Sequence, residues 1–290
     1  MDKPIPGPRV PKMLLGIIGH PLHHSLSPLL HNTMLAEQGI QAAYHTWPML
    51  EDRLEDFVNA MRTLPIHGVS VTIPHKEAIM DLIDNVSDLA AEVGAVNTVL
   101  WRNGRLYGAN TDVFGFMAPL ENLQAVPSSA LVMGAGGASR AAIVGLKQLQ
   151  VKDILISARN LAKSQALAQE MGCTAVPWEE RASQNTAILI NTTPLGTTGK
   201  LQDLSPWPEK TFPRRCIAYD LVYNPQETTF LRQAREAGCH TISGLEMLLH
   251  QGVRQFYLWT GKNMSVRGGR KLLTEALQQH PEPIVMEPED

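Results

Sequence analysis

The stretch Ala130-Leu131-Val132-Met133-Gly134-Ala135-Gly136-Gly137-Ala138-Ser139-Arg140 runs an apolar strand straight into a glycine-rich turn and the start of a helix. Glycines let such a turn tighten and let its backbone approach a pyrophosphate, whose charge is received by N–H groups and by the positive end of the helix dipole. Ser139 stands where the third glycine of a GxGxxG run would fall, so the match is partial and a plain glycine-rich turn is the alternative. The strand-to-helix setting favours a dinucleotide. Downstream, strands are expected over residues 153–157, 187–191 and 216–221 and around Thr241, with helices over 138–149, 162–171 and 228–237. This alternation describes a doubly wound, mostly parallel sheet of the Rossmann kind.

The end of the next strand selects the dinucleotide. An NAD site usually places an acid about 20 residues after the glycines to bind the ribose 2′-hydroxyl, whereas a 2′-phosphate calls for a cation. Here the strand ends Ser157-Ala158-Arg159-Asn160, with Lys163 one helical turn beyond the arginine and no acid in competition. NADP is therefore expected, against the plainer account of two solvated basic residues at a helix start.

Ahead of this series the chain writes a first α/β unit: a strand from Leu14, a helix over 27–38, a strand over 43–47, a helix over 51–64, a strand over 68–73, a helix over 76–83, then a hairpin. Two further helices, over 245–259 and 266–277, follow the second series and are the natural candidates to pack back on the first unit. The expected division is thus residues 1–111 joined by 245–290, and residues 112–244, with a cleft between the two.

Three segments of the first unit bring candidate chemistry together: Gly68-Val69-Ser70-Val71-Thr72-Ile73-Pro74-His75-Lys76, Gly94-Ala95-Val96-Asn97-Thr98 and Gly108-Ala109-Asn110-Thr111-Asp112. Val69, Val71 and Ile73 alternate with Ser70 and Thr72 as in a half-buried strand, and Pro74 suits the first turn of a following helix. Lys76 is then expected at a helix N-terminus, where a cation opposes the dipole and local propensity does not explain it. Asn103-Gly104 predicts a two-residue type I′ hairpin that pairs Arg102 with Arg105 and, without a bulge, Asn97 with Asn110, so that Asn97, Asn110 and Asp112 share a face. Singly, a solvated lysine and turn-forming Asn and Asp are the plainer account. Their convergence makes Lys76 and Asp112 a candidate catalytic pair.

Composition narrows the partners. The chain has 290 residues, 44% of them hydrophobic, long enough for two cores, and its net charge of -3 makes no case for binding nucleic acid or an anionic membrane. Cys173, Cys216 and Cys239 are odd in number and widely spaced, without CxxC, which argues against a disulfide framework or thiolate zinc site and for a reducing compartment. No apolar run approaches a membrane span, and Met1 to Lys12 is rich in proline rather than reading as a signal peptide. A cytoplasmic protein with a small-molecule partner is expected, with loose tails at Met1 to Lys12 and His280 to Asp290. His20, His23, His24 and His31 crowd one region but follow no ligand spacing, and no metal is expected. Ser27 before Pro28 also reads as a helix cap, whereas Ser25 has no such excuse.

Taken together these residues resemble the shikimate dehydrogenases over about residues 13–275. The similarity is carried by Gly19-His20-Pro21 with His24-Ser25-Leu26-Ser27-Pro28, by Val71 to Lys76, Gly94 to Thr98, Asn110-Thr111-Asp112 and Gly134 to Ala141, and by Asn191-Thr192-Thr193-Pro194-Leu195-Gly196, Asp220-Leu221-Val222-Tyr223-Asn224-Pro225 and Gly244 to Gly252. The resemblance implies NADP-dependent interconversion of 3-dehydroshikimate and shikimate in aromatic amino-acid (chorismate) biosynthesis, by a monomer or homodimer. Lys76 and Asp112 match the catalytic pair. Ser25 and Ser27 match the hydroxyls that hold the substrate carboxylate, with Tyr223 nearby, and Thr72, Asn97 and Gln251 match residues at the ring hydroxyls. Gly134, Ala135, Gly136, Gly137, Ala138, Ala158, Arg159, Asn160 and Lys163 match dinucleotide contacts, joined by Leu221, Gly244 and Asp88. The chain departs from the family at Ser70, more often Asn, at Ala158 and Asn160, more often Asn and Thr, and at Thr197, frequently Met. A quinate or quinate/shikimate dehydrogenase is the nearest rival. A non-catalytic dinucleotide-dependent regulator is a remoter one, and the retention of Lys76 and Asp112 speaks against it.

Overall fold

The alternation of the first third of the chain becomes a mixed sheet in the computed structural model, which describes residues 10–23, 25–209 and 211–279. Residues 1–9 and 280–290 of the expected tails, and His24, lie outside the described residues. The elements run β1 (Met13–Gly19), α1 (Ser27–Glu37), β2 (Ala42–Pro48), α2 (Leu54–Thr63), β3 (Ile66–Val71), β4 (Asn85–Val86), α3 (Asp88–Val93), β5 (Thr98–Arg102) and β6 (Arg105–Ala109). The strands lie side by side in the order β2-β1-β3-β5-β6-β4. β1 is parallel to β2 and β3, and the β5–β6 hairpin is antiparallel.

That hairpin has the expected turn and register. Asn103 and Gly104 have φ of 52° and 74°, the left-handed pair that a type I′ turn requires. Arg102 pairs with Arg105 and the ladder runs unbroken to Thr98 and Ala109, after which the Asn97 N–H donates to the Ala109 carbonyl at 3.1 Å.

The segment after Pro74 differs from expectation. Residues 73–77 form a turn and only a short 3₁₀ helix, Ala78–Asp81, follows, so Lys76 is not at an α-helix start. The reason is tertiary. The Lys76 carbonyl accepts the Val96 N–H at 2.8 Å, and the Met80 N–H goes instead to Glu77. Asp84 exchanges backbone and side-chain bonds with Leu106, which draws the chain into edge strand β4 before a helix can extend.

The second sheet follows α4 (Asp112–Glu121). Its elements are β7 (Ser129–Met133), α5 (Gly137–Gln148), β8 (Asp153–Ser157), α6 (Leu161–Met171), β9 (Thr174–Ala175), β10 (Ile188–Asn191), β11 (Ile217–Asp220), α7 (Thr229–Glu236) and β12 (His240–Ile242). The order β12-β11-β10-β7-β8-β9 is parallel throughout. This is the doubly wound arrangement, in which the order reverses beside the first strand and a crevice opens past the carboxyl ends.

The chain closes with α8 (Gly244–Thr260) and α9 (Val266–Gln279). Leu249 and Phe256 of α8 and Leu273 and Leu277 of α9 share a buried cluster with Leu15, Leu30 and Met34 of the first unit. Phe116 and Leu120 of α4 belong to the cluster under the second sheet. Among the described residues no helix is long and apolar enough to cross a membrane.

Helix α4 fits between its neighbours because glycines remove two side chains. A Cβ on Gly115 would lie 2.6 Å from the Met247 carbonyl of α8, and one on Gly145 of α5 would lie 2.7 Å from the Phe116 ring. Gly115→Ala should therefore lower unfolding stability by about 1 to 3 kcal/mol, because backbone must move to admit the methyl group. Urea denaturation checks this, and an unchanged midpoint would show that the two helices can part without loss.

Candidate active site

A pocket of about 240 Å³ opens between the two sheets, lined by Ser25, Ser27, Ser70, Thr72, Lys76, Asn97, Asp112, Leu221, Tyr223, Gly244 and Gln251 among others. Its size suits a small ring rather than a large ligand. All the residues expected to bind substrate or act on it meet here, carried by the turns after β1 and β3, by the start of α1, by the bend before β5, by the start of α4 and by the segment from β11 to α8.

The Lys76 ammonium donates to Asp112 Oδ2 at 2.5 Å, with the two side chains 20% and 9% exposed. Asp112 Oδ1 accepts the Asn97 amide at 2.8 Å. Asp112 begins α4, where a carboxylate agrees with the helix dipole. Asn110 stands behind this pair rather than beside it. Its side-chain carbonyl accepts the Asp112 N–H at 3.0 Å and its amide donates to the Ala95 carbonyl at 2.9 Å. The shared face thus resolves into two pocket residues and one buried support.

Ser27 is the first residue of α1 but does not cap it; its own N–H donates to Ser25 Oγ at 3.3 Å. The capping account of Ser27 falls away. Behind Ser27 lies the buried Tyr44, whose phenol burial pushes far above its ordinary range. Tyr44 donates to Ser70 Oγ at 2.7 Å, and Ser70 donates to Gln255 Oε1 at 2.9 Å. The Gln255 amide donates to the Asn97 carbonyl at 3.1 Å and Thr98 Oγ1 at 3.0 Å. Burial likewise pushes the Tyr223 hydroxyl up to about 12, so it stays a neutral group. Of the histidines, His31 is fully buried, held down at about 4 by desolvation, and stacked on Tyr44 at 4.6 Å. It is a neutral core ring.

Gln255, Met247, Leu248 and Ile17 line the pocket without having been singled out in the sequence. For Gln255 a signal existed, since it lies four residues after Gln251 and so on the same face of α8. Tyr44 carried none beyond an aromatic in a strand.

The residues expected to hold the dinucleotide lie along the carboxyl edge of the second sheet. Gly134 has φ of 128°, and a Cβ there would lie 2.2 Å from Thr192 Oγ1. At Gly136 and Gly137 a Cβ would meet nothing within 4 Å, so the turn leaves open space over the start of α5. That suits a pyrophosphate approaching backbone N–H groups. Ser139, in the place of the third glycine, is fully buried and joins Thr192 Oγ1 at 2.7 Å while accepting the Gly136 N–H at 3.2 Å. Ala158, Arg159 and Asn160 follow β8, with Arg159 and Lys163 exposed. The Asn160 side chain caps α6 by accepting the Lys163 N–H at 3.0 Å. Leu221 and Gly244 reach the pocket itself, and a Cβ on Gly244 would lie 2.5 Å from the Leu221 carbonyl. Asp88 opens α3, but it is the other end of that helix, Val93, whose carbonyl meets Arg140 of α5 at 3.4 Å.

Residues 17–99 match the shikimate dehydrogenase substrate-binding domain, and residues 244–274 match the shikimate 5'-dehydrogenase C-terminal domain. An NADP(+) shikimate dehydrogenase of Maridesulfovibrio salexigens is 45% identical over 92% of this chain and 98% of its own. The chain belongs to the shikimate dehydrogenase family. A second such enzyme, from Pelobacter propionicus, is 48% identical over 87% of this chain and 92% of its own. Among solved structures, Thermus thermophilus shikimate 5-dehydrogenase in complex with NADP(H) and shikimate superposes with a TM-score of 0.84 at 37% identity, covering 91% of this chain and 100% of that one. Quinate dehydrogenase from Corynebacterium glutamicum in complex with NAD has a TM-score of 0.85 at 30% identity, covering 91% and 99%.

The exposed Arg159 guanidinium generates a test of cofactor choice. Arg159→Ala should raise KM for NADP by about 10- to 100-fold while leaving kcat and the NAD constants little changed, because a contact to a 2′-phosphate would be made in ground and transition states alike. Equal losses with both cofactors would make the arginine structural.

Proposed function

We propose that this protein is an NADP-dependent shikimate dehydrogenase, which reduces the ring carbonyl of 3-dehydroshikimate to the hydroxyl of shikimate and catalyses the reverse oxidation. The observation that carries this reading is the Lys76–Asp112 pair at 2.5 Å, set in a pocket whose other polar groups suit a small polyhydroxy acid. NADPH, when bound, supplies the hydride. As negative charge grows on the carbonyl oxygen, the Lys76 ammonium stabilises it and donates or relays a proton. Asp112 orients that ammonium and a neighbouring substrate hydroxyl. Ser25 and Ser27 hold the carboxylate with Tyr223 nearby, and Thr72, Asn97 and Gln251 take the ring hydroxyls.

In this reading residues 112–244 form the cofactor unit. Gly134 to Ala138 receive the pyrophosphate, and Arg159 and Lys163 take the 2′-phosphate, flanked by Ala158 and Asn160. Leu221 and Gly244 stand where cofactor and substrate meet. A cytoplasmic setting accords with such a biosynthetic role. Quinate dehydrogenation is the second reading, favoured by the likeness to the Corynebacterium enzyme. The nearer likeness to NADP(+) shikimate dehydrogenases at 43–48% identity and the cationic end of β8 favour the first. Assaying shikimate and quinate against NADP and NAD decides between them, with shikimate and NADP expected to give the highest kcat/KM.

Two variants test the assigned roles. Lys76→Ala should lower kcat by about two to four orders of magnitude, the range for losing a positioned proton donor, with a much smaller change in shikimate KM. Because the lysine sits in a turn and pairs with a buried acid, removing it relieves no helix dipole, and a modest loss of stability is expected rather than a gain. A folded variant with near wild-type kcat would defeat the assignment.

Ser25→Ala should weaken shikimate binding more than it lowers kcat, by about 1.5 to 3 kcal/mol for a hydroxyl given to a carboxylate, and leave NADP affinity unchanged. Steady-state kinetics measure both constants, and an unchanged shikimate KM would remove Ser25 from the site.

A further inference from the structure

Asp220 ends β11 at the carboxyl edge of the second sheet, fully buried, and the reaction scheme gives it no part. Three donors from three places converge on its carboxylate. Oδ1 accepts the Asn191 amide at 2.8 Å and the Val222 N–H at 3.0 Å, and Oδ2 accepts the Thr228 hydroxyl at 2.5 Å. Among the described residues no cation pairs with it, and burial pushes its carboxyl up to about 7. A charge held in the interior without a counter-ion is unfavourable to the fold, and an apolar filling of the same shape would serve stability better.

The donors show what the carboxylate holds. Val222 lies between Leu221 and Tyr223, both of which line the pocket. Asn191 also donates to the Leu195 carbonyl at 3.0 Å and accepts the Thr193 N–H at 2.9 Å, which shapes the loop after β10. The next residue, Thr192, donates to the Met133 carbonyl at 2.8 Å and joins Ser139 at the glycine turn. Thr228 is the cap of α7, its oxygen accepting the Leu231 N–H at 3.3 Å. An amide at position 220 would turn its NH₂ toward Thr228, whose hydroxyl would have to accept instead of donate, and the charge that strengthens all three bonds would be lost.

We propose that Asp220 is a positioning residue of the active site, whose carboxylate locks the loop 221–223 facing the substrate to the loop 191–196 bracing the glycine turn. It acts through Val222, Asn191 and Thr228 and touches neither substrate nor cofactor. The proposal rests on the function assigned above.

Asp220→Asn, which nearly keeps the shape, and Thr228→Val, which removes one donor and leaves the charge, test it in the full-length chain. Amide hydrogen exchange in residues 191–196 and 220–224 should speed up by about tenfold, the equivalent of one charge-assisted hydrogen bond, with the rest of the protein unchanged. KM for shikimate and for NADP should each rise by about tenfold, with a smaller fall in kcat. The melting temperature of Asp220→Asn at pH 8 should be equal to or higher than that of the wild type, because a buried charge has gone. Thr228→Val should show the same pattern more weakly, and it decides the matter if Asp220→Asn does not fold. Wild-type exchange and kinetics in the folded variants, or a fall in melting temperature with unchanged kinetics per folded molecule, would overturn the proposal. Exchange is read without turnover, so a wild type inactive on shikimate would sink the functional reading while the exchange result still judged Asp220.

Discussion

The ion pair between Lys76 and Asp112 is the contact around which the polar groups of the pocket are arranged. It joins the turn after β3 to the first residue of α4, the helix that leads into the second sheet. Each end is held by bonds other than the pair itself. The Lys76 carbonyl takes the Val96 N–H, and Asp112 is bound through its carboxylate by Asn97 and through its N–H by Asn110. The hairpin register sets the spacing of these three partners. A partly buried ion pair is weak evidence for stability, since desolvation offsets much of the attraction. So much support around one pair accords with the reaction role proposed for it.

Behind it runs a buried polar chain from Tyr44 through Ser70 to Gln255 and Asn97. Because every member has a partner, the chain fixes directions as well as positions, which is how dipoles are prepared before charge develops. Ser70, one of the departures from the family pattern, is a member of this chain through its bond to Gln255 Oε1 of α8, 185 residues later.

The glycines divide by what surrounds them. Gly134 and Gly244 let backbone and side chain of neighbouring segments come closer than any Cβ would permit, to Thr192 and Leu221 respectively. Gly136 and Gly137 face open space, so their lack of side chain serves an incoming group rather than internal packing. One turn therefore holds both kinds, and Ser139 in the third position closes it with hydrogen bonds to Gly136 and Thr192.

Local signals in the sequence determined a great deal about this protein. Periodicity marked the two strand-and-helix series, Asn103-Gly104 set the hairpin and its pairing, the glycine run placed a dinucleotide turn, and the family pattern picked out Ser25, Ser27, Thr72, Lys76, Asn97, Asp112, Tyr223 and Gln251, which line one pocket. Each of these rests on neighbours in the chain or on a motif a few residues long. The tertiary structure alone decided the rest. A long-range bond to the Lys76 carbonyl replaced the helix expected after Pro74 with a turn, and the two-residue strands β4 and β9 are too short to carry a period. Ser27 begins α1 without capping it, and Asp220 became the meeting point of three segments. These outcomes depend on which backbone groups and side chains remain unpaired once the sheets have closed, and that is a property of residues far apart in the chain, which no local window contains.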